Sequence, residues 1–140
     1  MAYVDTNVFV YASSAIKESA VKSQQSQLIL EKVARQHLSA TTSVITWDEV
    51  AWASKKVLPL HEALDKAKEV LAFPNLAITD FTLIIANKAS ELAEKYRLKP
   101  HDSIHAATAI LNGEKAIITD DADFDKVREL KRVTLAEASR

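Results

Sequence analysis

The stretch Ala2-Tyr3-Val4-Asp5-Thr6-Asn7-Val8-Phe9-Val10-Tyr11-Ala12 decides the fold. Ala2–Asp5 is a short apolar run closed by a carboxylate, which reads as a buried strand. Thr6–Ser13 follows without a linker and begins a helix, with Thr6 or Asn7 as candidate caps. A buried strand that turns straight into a helix is the opening of an α/β fold. In such folds helices cover both faces of a parallel sheet.

The rest of the chain repeats the pairing. Val21–Arg35 reads as an amphipathic helix with Val21, Leu28, Val33 and Ala34 inward. Leu38–Ala40 reads as a strand, and Ser43 as the N-cap of a helix to about Lys56 carrying Val44, Trp47 and Ala51 on one stripe. Pro59 stops that helix. His61–Ala72 is a further helix with Ala63, Ala67, Val70 and Leu71 inward, and Leu76–Thr79 a strand. Asp80 or Thr82 caps a long helix to about Arg97, with Ile85, Ala89, Leu92 and Tyr96 in line. Pro100 sits in the first turn of the next helix, where its missing N–H costs nothing. Gly113 ends it. Ala116–Thr119 is a strand, Val127–Leu130 a short helix and Arg132–Leu135 a last strand. The expected fold is a three-layer α/β/α sandwich with a parallel sheet of four or five strands, as one domain over residues 1–140.

Composition narrows the chemistry. The 140 residues include one glycine and no cysteine. A Gly-rich phosphate loop needs several glycines at fixed offsets, so neither a P-loop nor a dinucleotide fingerprint is present. Thiolate metal sites, disulfides and a cysteine nucleophile are excluded. Net charge is −1, so tight nonspecific nucleic-acid binding through many phosphate contacts is not predicted. The start has no secretory pattern and no apolar run approaches a bilayer span, so a cytoplasmic protein with no membrane contact is expected.

Carboxylates remain. In open α/β sheets ligands bind beyond the carboxyl ends of the strands. Asp5 ends the first strand, and four of the nine aspartates fall within Asp120–Asp125, after a later strand that is a plausible neighbour of the first. Asp102 lies in the first turn of a helix, and Glu49 lies mid-helix. Each alone has a plain reading: Asp5 a helix cap, Asp102 a charge favoured by the helix dipole, Glu49 a solvated residue, Asp120–Asp125 a polar turn. Gathered at one rim they would repel one another unless a cation neutralised them. An all-oxygen donor set suits Mg²⁺ or Mn²⁺. Such an ion polarises a phosphoryl oxygen and activates water, so hydrolysis of a phosphate ester is the expected chemistry.

These residues match a family. The chain resembles the PIN domain and, within it, the VapC-type ribonuclease toxins of toxin–antitoxin pairs. VDTNVFVYA, SVITWDEV, HDSIHAATAI and ITDDADFD resemble its four acidic motifs, in order, across nearly the whole chain. The resemblance implies a Mg²⁺- or Mn²⁺-dependent endoribonuclease of single-stranded RNA, partnered by a small antitoxin and forming a homodimer. It gives Asp5 and Asp102 as primary metal ligands, with Glu49 and Asp121 completing a catalytic quartet. Asp120 and Asp123 are rivals to Asp121, and Asp48 to Glu49. Thr6, Asn7, Thr46 and Thr119 are candidates to orient the acids. His105 shares a helix face with Asp102 and reads as a packed or hydrogen-bonded histidine rather than a ligand. Trp47, Trp52 and Tyr96 read as core or interface residues, with base stacking as the alternative. Lys55, Lys56, Arg97, Lys99 and His101 are candidate phosphate guides.

Two other readings compete. One is a PIN-like RNA- or protein-binding module with little or no catalysis. The other is an acidic-pocket phosphohydrolase or phospho-acceptor, weakened because Asp5-Thr6-Asn7 lacks the second aspartate of an Asp-x-Asp pair.

Overall fold

The computed structural model describes residues 1–16 and 19–140. Five strands form one parallel sheet: β1 Ala2–Val4, β2 Ala40–Ser43, β3 Leu76–Thr79, β4 Ala116–Ile118 and β5 Lys131–Val133. Their order is β3-β2-β1-β4-β5. Central β1 pairs Tyr3 with Thr41 of β2 on one side and Ile117 of β4 on the other. Seven helices surround the sheet: α1 Thr6–Ala12, α2 Ala20–Ala34, α3 Ile45–Lys55, α4 Leu60–Leu71, α5 Leu83–Tyr96, α6 Pro100–Leu111 and α7 Leu135–Ser139. The three-layer sandwich expected from the sequence is the observed one, with five strands. No helix among the described residues is long and apolar enough to cross a membrane.

Strand side chains alternate faces, and this divides the core in two. Tyr3 and Ile117 point to the side of α5 and α6, where they meet Leu92, Tyr96, Ala106 and Ala107. Val4 and Ile118 point to the other side, against Val8, Ile29, Val33, Val50 and Leu135. The buried face of α6 carries Ala106, Ala107 and Ala109, which allow the helix backbone to lie close to its neighbours. Because every strand is parallel, all carboxyl ends share one rim. The strand order reverses direction between β1 and β4, and that is where a doubly wound sheet opens its crevice.

Several local readings need correction. Ser43 closes β2 rather than capping α3. Its hydroxyl still accepts from the Ile45 N–H at 3.1 Å, so capping chemistry is present one residue out of place. The cap of α1 is Asp5, not Thr6 or Asn7. Val21 and Leu28 face outward, and α2 buries Ser26, Ile29 and Val33 instead. Its apolar residues lie all round the helix, so spacing alone does not fix the face. In α3 the buried stripe is Thr46, Val50 and Ser54, one position off the apolar stripe, and Leu71 at the end of α4 is exposed. The segment Val127–Leu130 is a turn. The short helix lies earlier, as a 3-10 turn over Ala122–Lys126 held by Asp121 accepting from the Asp123 N–H. Strand β5 ends at Val133, and Thr134 caps α7 by accepting from the Glu137 N–H at 3.1 Å. The Thr-x-x-Glu spacing was the available signal for that helix.

Gly113 follows α6 with φ at 80°, the left-handed conformation that ends a helix at least cost to glycine. Three other positive-φ positions fall to Gln36, Asn75 and Arg97.

At the far end of the sheet from the acidic rim, Glu114 is buried. It accepts from the Thr41 hydroxyl with one oxygen and leaves Oε2 without a partner. Burial pushes its carboxyl above the usual range, with Thr41 opposing. The native carboxyl therefore holds its proton to a higher pH than the unfolded chain does. Stability from this site is full at low pH and is lost as pH rises through the raised value. Glu114→Gln is expected to raise stability at pH 7 by about 1 kcal/mol. Urea denaturation should show the gain shrinking toward pH 4.

Candidate active site

Asp5, Glu49, Asp102 and Asp121 come from four separate elements and line one cavity of about 480 Å³ at the carboxyl ends of β1 and β4. Their sequence separation is closed by the fold. Asp5 leaves β1, Asp121 follows β4, Glu49 projects from the second turn of α3, and Asp102 from the first turn of α6.

Asp5 is nearly enclosed, at 5% exposure. Oδ1 accepts from the Thr6 N–H at 2.8 Å, and Oδ2 accepts from the Thr119 hydroxyl at 2.7 Å and the Asn7 amide at 3.2 Å. Thr119 also receives the Asn7 amide at 2.9 Å and the Asp121 N–H at 3.1 Å. One buried hydroxyl thus fixes two acids and the amide between them. Burial pushes the Asp5 carboxyl up, while His105 and these donors oppose the rise.

Behind Asp5 runs a buried polar network. The Nε2 atom of His105 bonds Glu49 and stands 3.6 Å from Asp5, and its Nδ1 lies 2.6 Å from the Tyr3 hydroxyl. Tyr3 in turn accepts from the Ser43 N–H at 3.0 Å. The Thr6 hydroxyl reaches Glu49 at 2.9 Å, and Thr46 bonds Thr42 at 2.7 Å beneath it. Burial works against charge on both Glu49 and His105. The bond between them outweighs it, helped by the His105 charge, Thr6 and His101 at Glu49 and by the Asp5, Glu49 and Asp102 charges at His105, and holds Glu49 below and His105 above their ordinary values. His105 is therefore the packed, hydrogen-bonded histidine expected from its position.

Asp102 has no such support. Burial, then the charges of Asp5 and Asp121, push its carboxyl up to about 6. One carboxylate oxygen from each of Asp102, Asp121 and Asp123 falls within 4.8 Å of the others. These three are the close acidic group among the described residues, so Asp123 stands nearer the site than the quartet alone implied. Asp120 points elsewhere. It pairs with Lys22 at 2.7 Å and accepts from the Tyr11 hydroxyl at 3.1 Å, which hold its carboxyl low against the effect of burial. Asp48 is exposed but also borders the cavity.

Sequence reasoning undervalued two rim residues. His101 lines the cavity, with Nδ1 3.5 Å from Glu49. Trp52, read as a core or interface residue, is no part of the core: it is 67% exposed at the mouth, and its place three residues after Glu49 on a helix was the signal. Tyr96 is buried as expected, with its hydroxyl bonded to Glu129.

Fold and site together define a parallel α/β/α protein with an acidic crevice at the strand-order reversal. The PIN domain model matches residues 2–130, and the chain belongs to that family. Solved structures share the architecture. A toxin–antitoxin complex from Klebsiella pneumoniae is 25% identical, with a TM-score of 0.67, covering 96% of this chain and 98% of that one. VapBC2 from Rickettsia felis bound to a promoter DNA fragment is 21% identical, with a TM-score of 0.72 and the same coverage. VapBC-1 from nontypeable Haemophilus influenzae is 16% identical, with a TM-score of 0.69, covering 97% and 99%. No curated protein is similar at a significant level.

The contrast between supported and unsupported acids gives substitutions of opposite sign. In metal-free protein, Asp102 keeps its proton to about pH 6, above the unfolded value near 3.8. Its contribution is therefore lost as pH rises through that window. Asp102→Asn should raise Tm at pH 7.5 by roughly 2–5 °C, a shift discounted because the group is partly solvated, and the gain should vanish near pH 4. His105→Leu leaves Asp5 and Glu49 buried without their partner and should cost about 3 kcal/mol. Thermal melts in a chelator check both.

Proposed function

We propose that this chain is a Mg²⁺- or Mn²⁺-dependent endoribonuclease of single-stranded RNA and the toxin of a toxin–antitoxin pair, acting in the cytoplasm as one PIN domain over residues 1–140. The observation that carries the reading is the set of carboxylates converging on one crevice without enough cationic partners. Asp102 has no hydrogen-bond donor or ion-pair partner among the described residues, and it faces Asp121 and Asp123. Protein groups leave this charge uncompensated, and an all-oxygen cluster fits a hard divalent cation.

Asp102 and Asp121, with Asp5 beside them, would hold the ion, and Asp123 is close enough to share the task. A bound Mg²⁺ or Mn²⁺ supplies a Lewis acid for a phosphoryl oxygen and lowers the pKa of water. The chain's own groups do the positioning. Thr119 and the Thr6 N–H fix Asp5. His105 and Thr6 hold Oε1 of Glu49, leaving Oε2 toward the cavity near His101. Glu49 is ionised and oriented, so it can position the attacking water or accept its proton, with Asp121 as the alternative. His101, exposed at the mouth, is placed to meet a phosphate.

The partners in the reading also have places in the fold. A mixed groove of about 230 Å³, lined by Phe9, Leu30, Val50, Val70 and Phe73 together with Ser13, Ser14, Lys66 and Glu69, lies between α1, α2, α3 and α4 and suits an amphipathic antitoxin segment. Support for a toxin comes from the toxin–antitoxin complexes that share the fold. Support for a homodimer comes from Leu83 and Ile84, 77% and 71% exposed at the start of α5 beside Phe81. Such a cluster marks an interaction surface.

Labelled single-stranded RNA with Mn²⁺ or Mg²⁺ tests the catalytic core. Cleavage should stop in a chelator and return with the ion. Glu49→Gln should lower kcat by about 10²–10⁴, and Asp102→Asn or Asp121→Asn should abolish measurable Mn²⁺ binding by calorimetry. Metal-independent cleavage, or full activity in Asp102→Asn, would overturn the proposal. For the dimer, light scattering should find a wild-type mass twice that of Ile84→Glu.

A further inference from the structure

We infer that Trp52, with Lys55 and Lys56, is a stacking and phosphate-binding platform that leads a single RNA strand into the acidic cavity. The inference rests on the ribonuclease reading and names how that site takes its substrate.

Three observations converge. Trp52 is 67% exposed although it is the largest apolar side chain type, and it lines both the acidic cavity and a second recess of about 160 Å³ whose other walls are Lys55 and Lys56. The two recesses therefore share one indole as a wall. Helix α3 supplies the alignment. Glu49, Trp52 and Lys55 or Lys56 succeed one another at three- and four-residue spacing, so they form a stripe from the acid to the rim. Finally, Lys55 and Lys56 are exposed and form no salt bridge among the described residues, although most of the helical lysines nearby on α4 and α5 do have carboxylates in reach.

The electrostatics require such a feature. Asp5, Glu49, Asp102 and Asp121 make the cavity repulsive to a polyanion in the absence of an ion. Two unpaired ammonium groups beside it offer the attraction that the chain's net charge of −1 does not supply globally. The indole adds a planar face. An unpaired base can stack on it, whereas a base inside a duplex has no free face to offer, so the platform selects single strands and tolerates any sequence. Lys55 and Lys56 then meet the phosphates flanking the stacked base, outside the cavity that takes the scissile one.

The test uses full-length protein carrying Asp102→Asn, so that no strand is cut, and Trp47→Phe, so that Trp52 is the remaining indole. An unstructured oligoadenylate RNA should quench its fluorescence saturably, and the same strand in a duplex should not. Trp52→Ala should weaken binding of the single strand roughly five- to a hundredfold, with Trp52→Phe recovering most of it. Lys55→Glu with Lys56→Glu should flatten the salt dependence by about one to two phosphate contacts. In the cleaving enzyme Trp52→Ala should raise KM more than it lowers kcat, and an RNA abasic at the stacked position should show no further loss with Trp52→Ala. An unquenched indole, or binding unchanged in Trp52→Ala, in a protein that still cuts RNA overturns the platform and leaves the nuclease reading standing. Quenching and the alanine loss in a protein that cuts no RNA with either ion keep the platform and overturn the nuclease reading.

Discussion

Burying a carboxylate at the end of the central strand is the constraint around which this molecule is organised. Asp5 has lost almost all its water, and an isolated buried charge is prohibitively costly. Three donors compensate it: the Thr6 N–H and the Asn7 side chain, both of α1, and Thr119 across the β1–β4 pairing. The Thr119 bond exists only when β1 and β4 are neighbours in register. Topology and acid chemistry are thus fixed by the same contact. His105 extends the compensation through Tyr3 to β2 and through Glu49 to α3, tying the central strands and two helices to one charge.

That compensation stops abruptly at Asp102. On one side of the crevice, hydrogen bonds hold Glu49 in its ionised form. Asp102, in contrast, meets Asp121 and Asp123 with no hydrogen bond or ion pair among the described residues, and the charge of His105 only partly opposes the upward push on its carboxyl. A structural acid cluster would be expected to carry lysines or arginines between its members, and this fold does place such pairs elsewhere, as at Asp125 with Arg132. Asp120 shows the difference within a single dipeptide. Lys22 and Tyr11 draw it out of the site, while Asp121 turns in and caps the 3-10 turn. Of these two neighbours, Asp121 lines the cavity and Asp120 meets a cation on α2 instead.

Much of the fold was legible in the sequence. Runs such as Leu76–Thr79 and Ala116–Ile118 are short, apolar and bounded by breakers, the pattern of parallel strands, although β3 at the sheet edge is only partly covered. The stripe Ile85, Ala89, Leu92, Tyr96 was equally plain, because α5 packs on one side only. Legibility failed where burial and hydrophobicity part company. Helices α2 and α3 bury Ser26, Thr46 and Ser54: Thr46 joins the network under Glu49, and an apolar-periodicity reading skips it. Trp52 departs in the opposite direction, an aromatic on an apolar-looking stripe that the fold keeps out of the core. The acids themselves could be picked out, but which were supported and which exposed depended on Thr119, His105 and Lys22, residues up to 114 positions away in the chain.

The glycine count acquires a physical meaning in this light. A glycine-poor chain has no ready way to wrap successive backbone N–H groups around a phosphate. Here the N–H groups at the crevice are turned to the protein's own acids, Thr6 to Asp5 and Asp123 to Asp121. Two backbone donors at the crevice thus serve to hold anions that belong to the chain. A substrate phosphate there meets the carboxylates of Asp5, Glu49, Asp102 and Asp121 and needs more positive charge than His101 alone offers at the cavity wall. On the proposed reading, a divalent ion held by Asp102, Asp121 and Asp123 would supply it at the reacting group, and the side-chain cations at the mouth would supply it along the strand. The same shortage of glycine that excludes a phosphate loop is what makes the uncompensated aspartates functionally coherent.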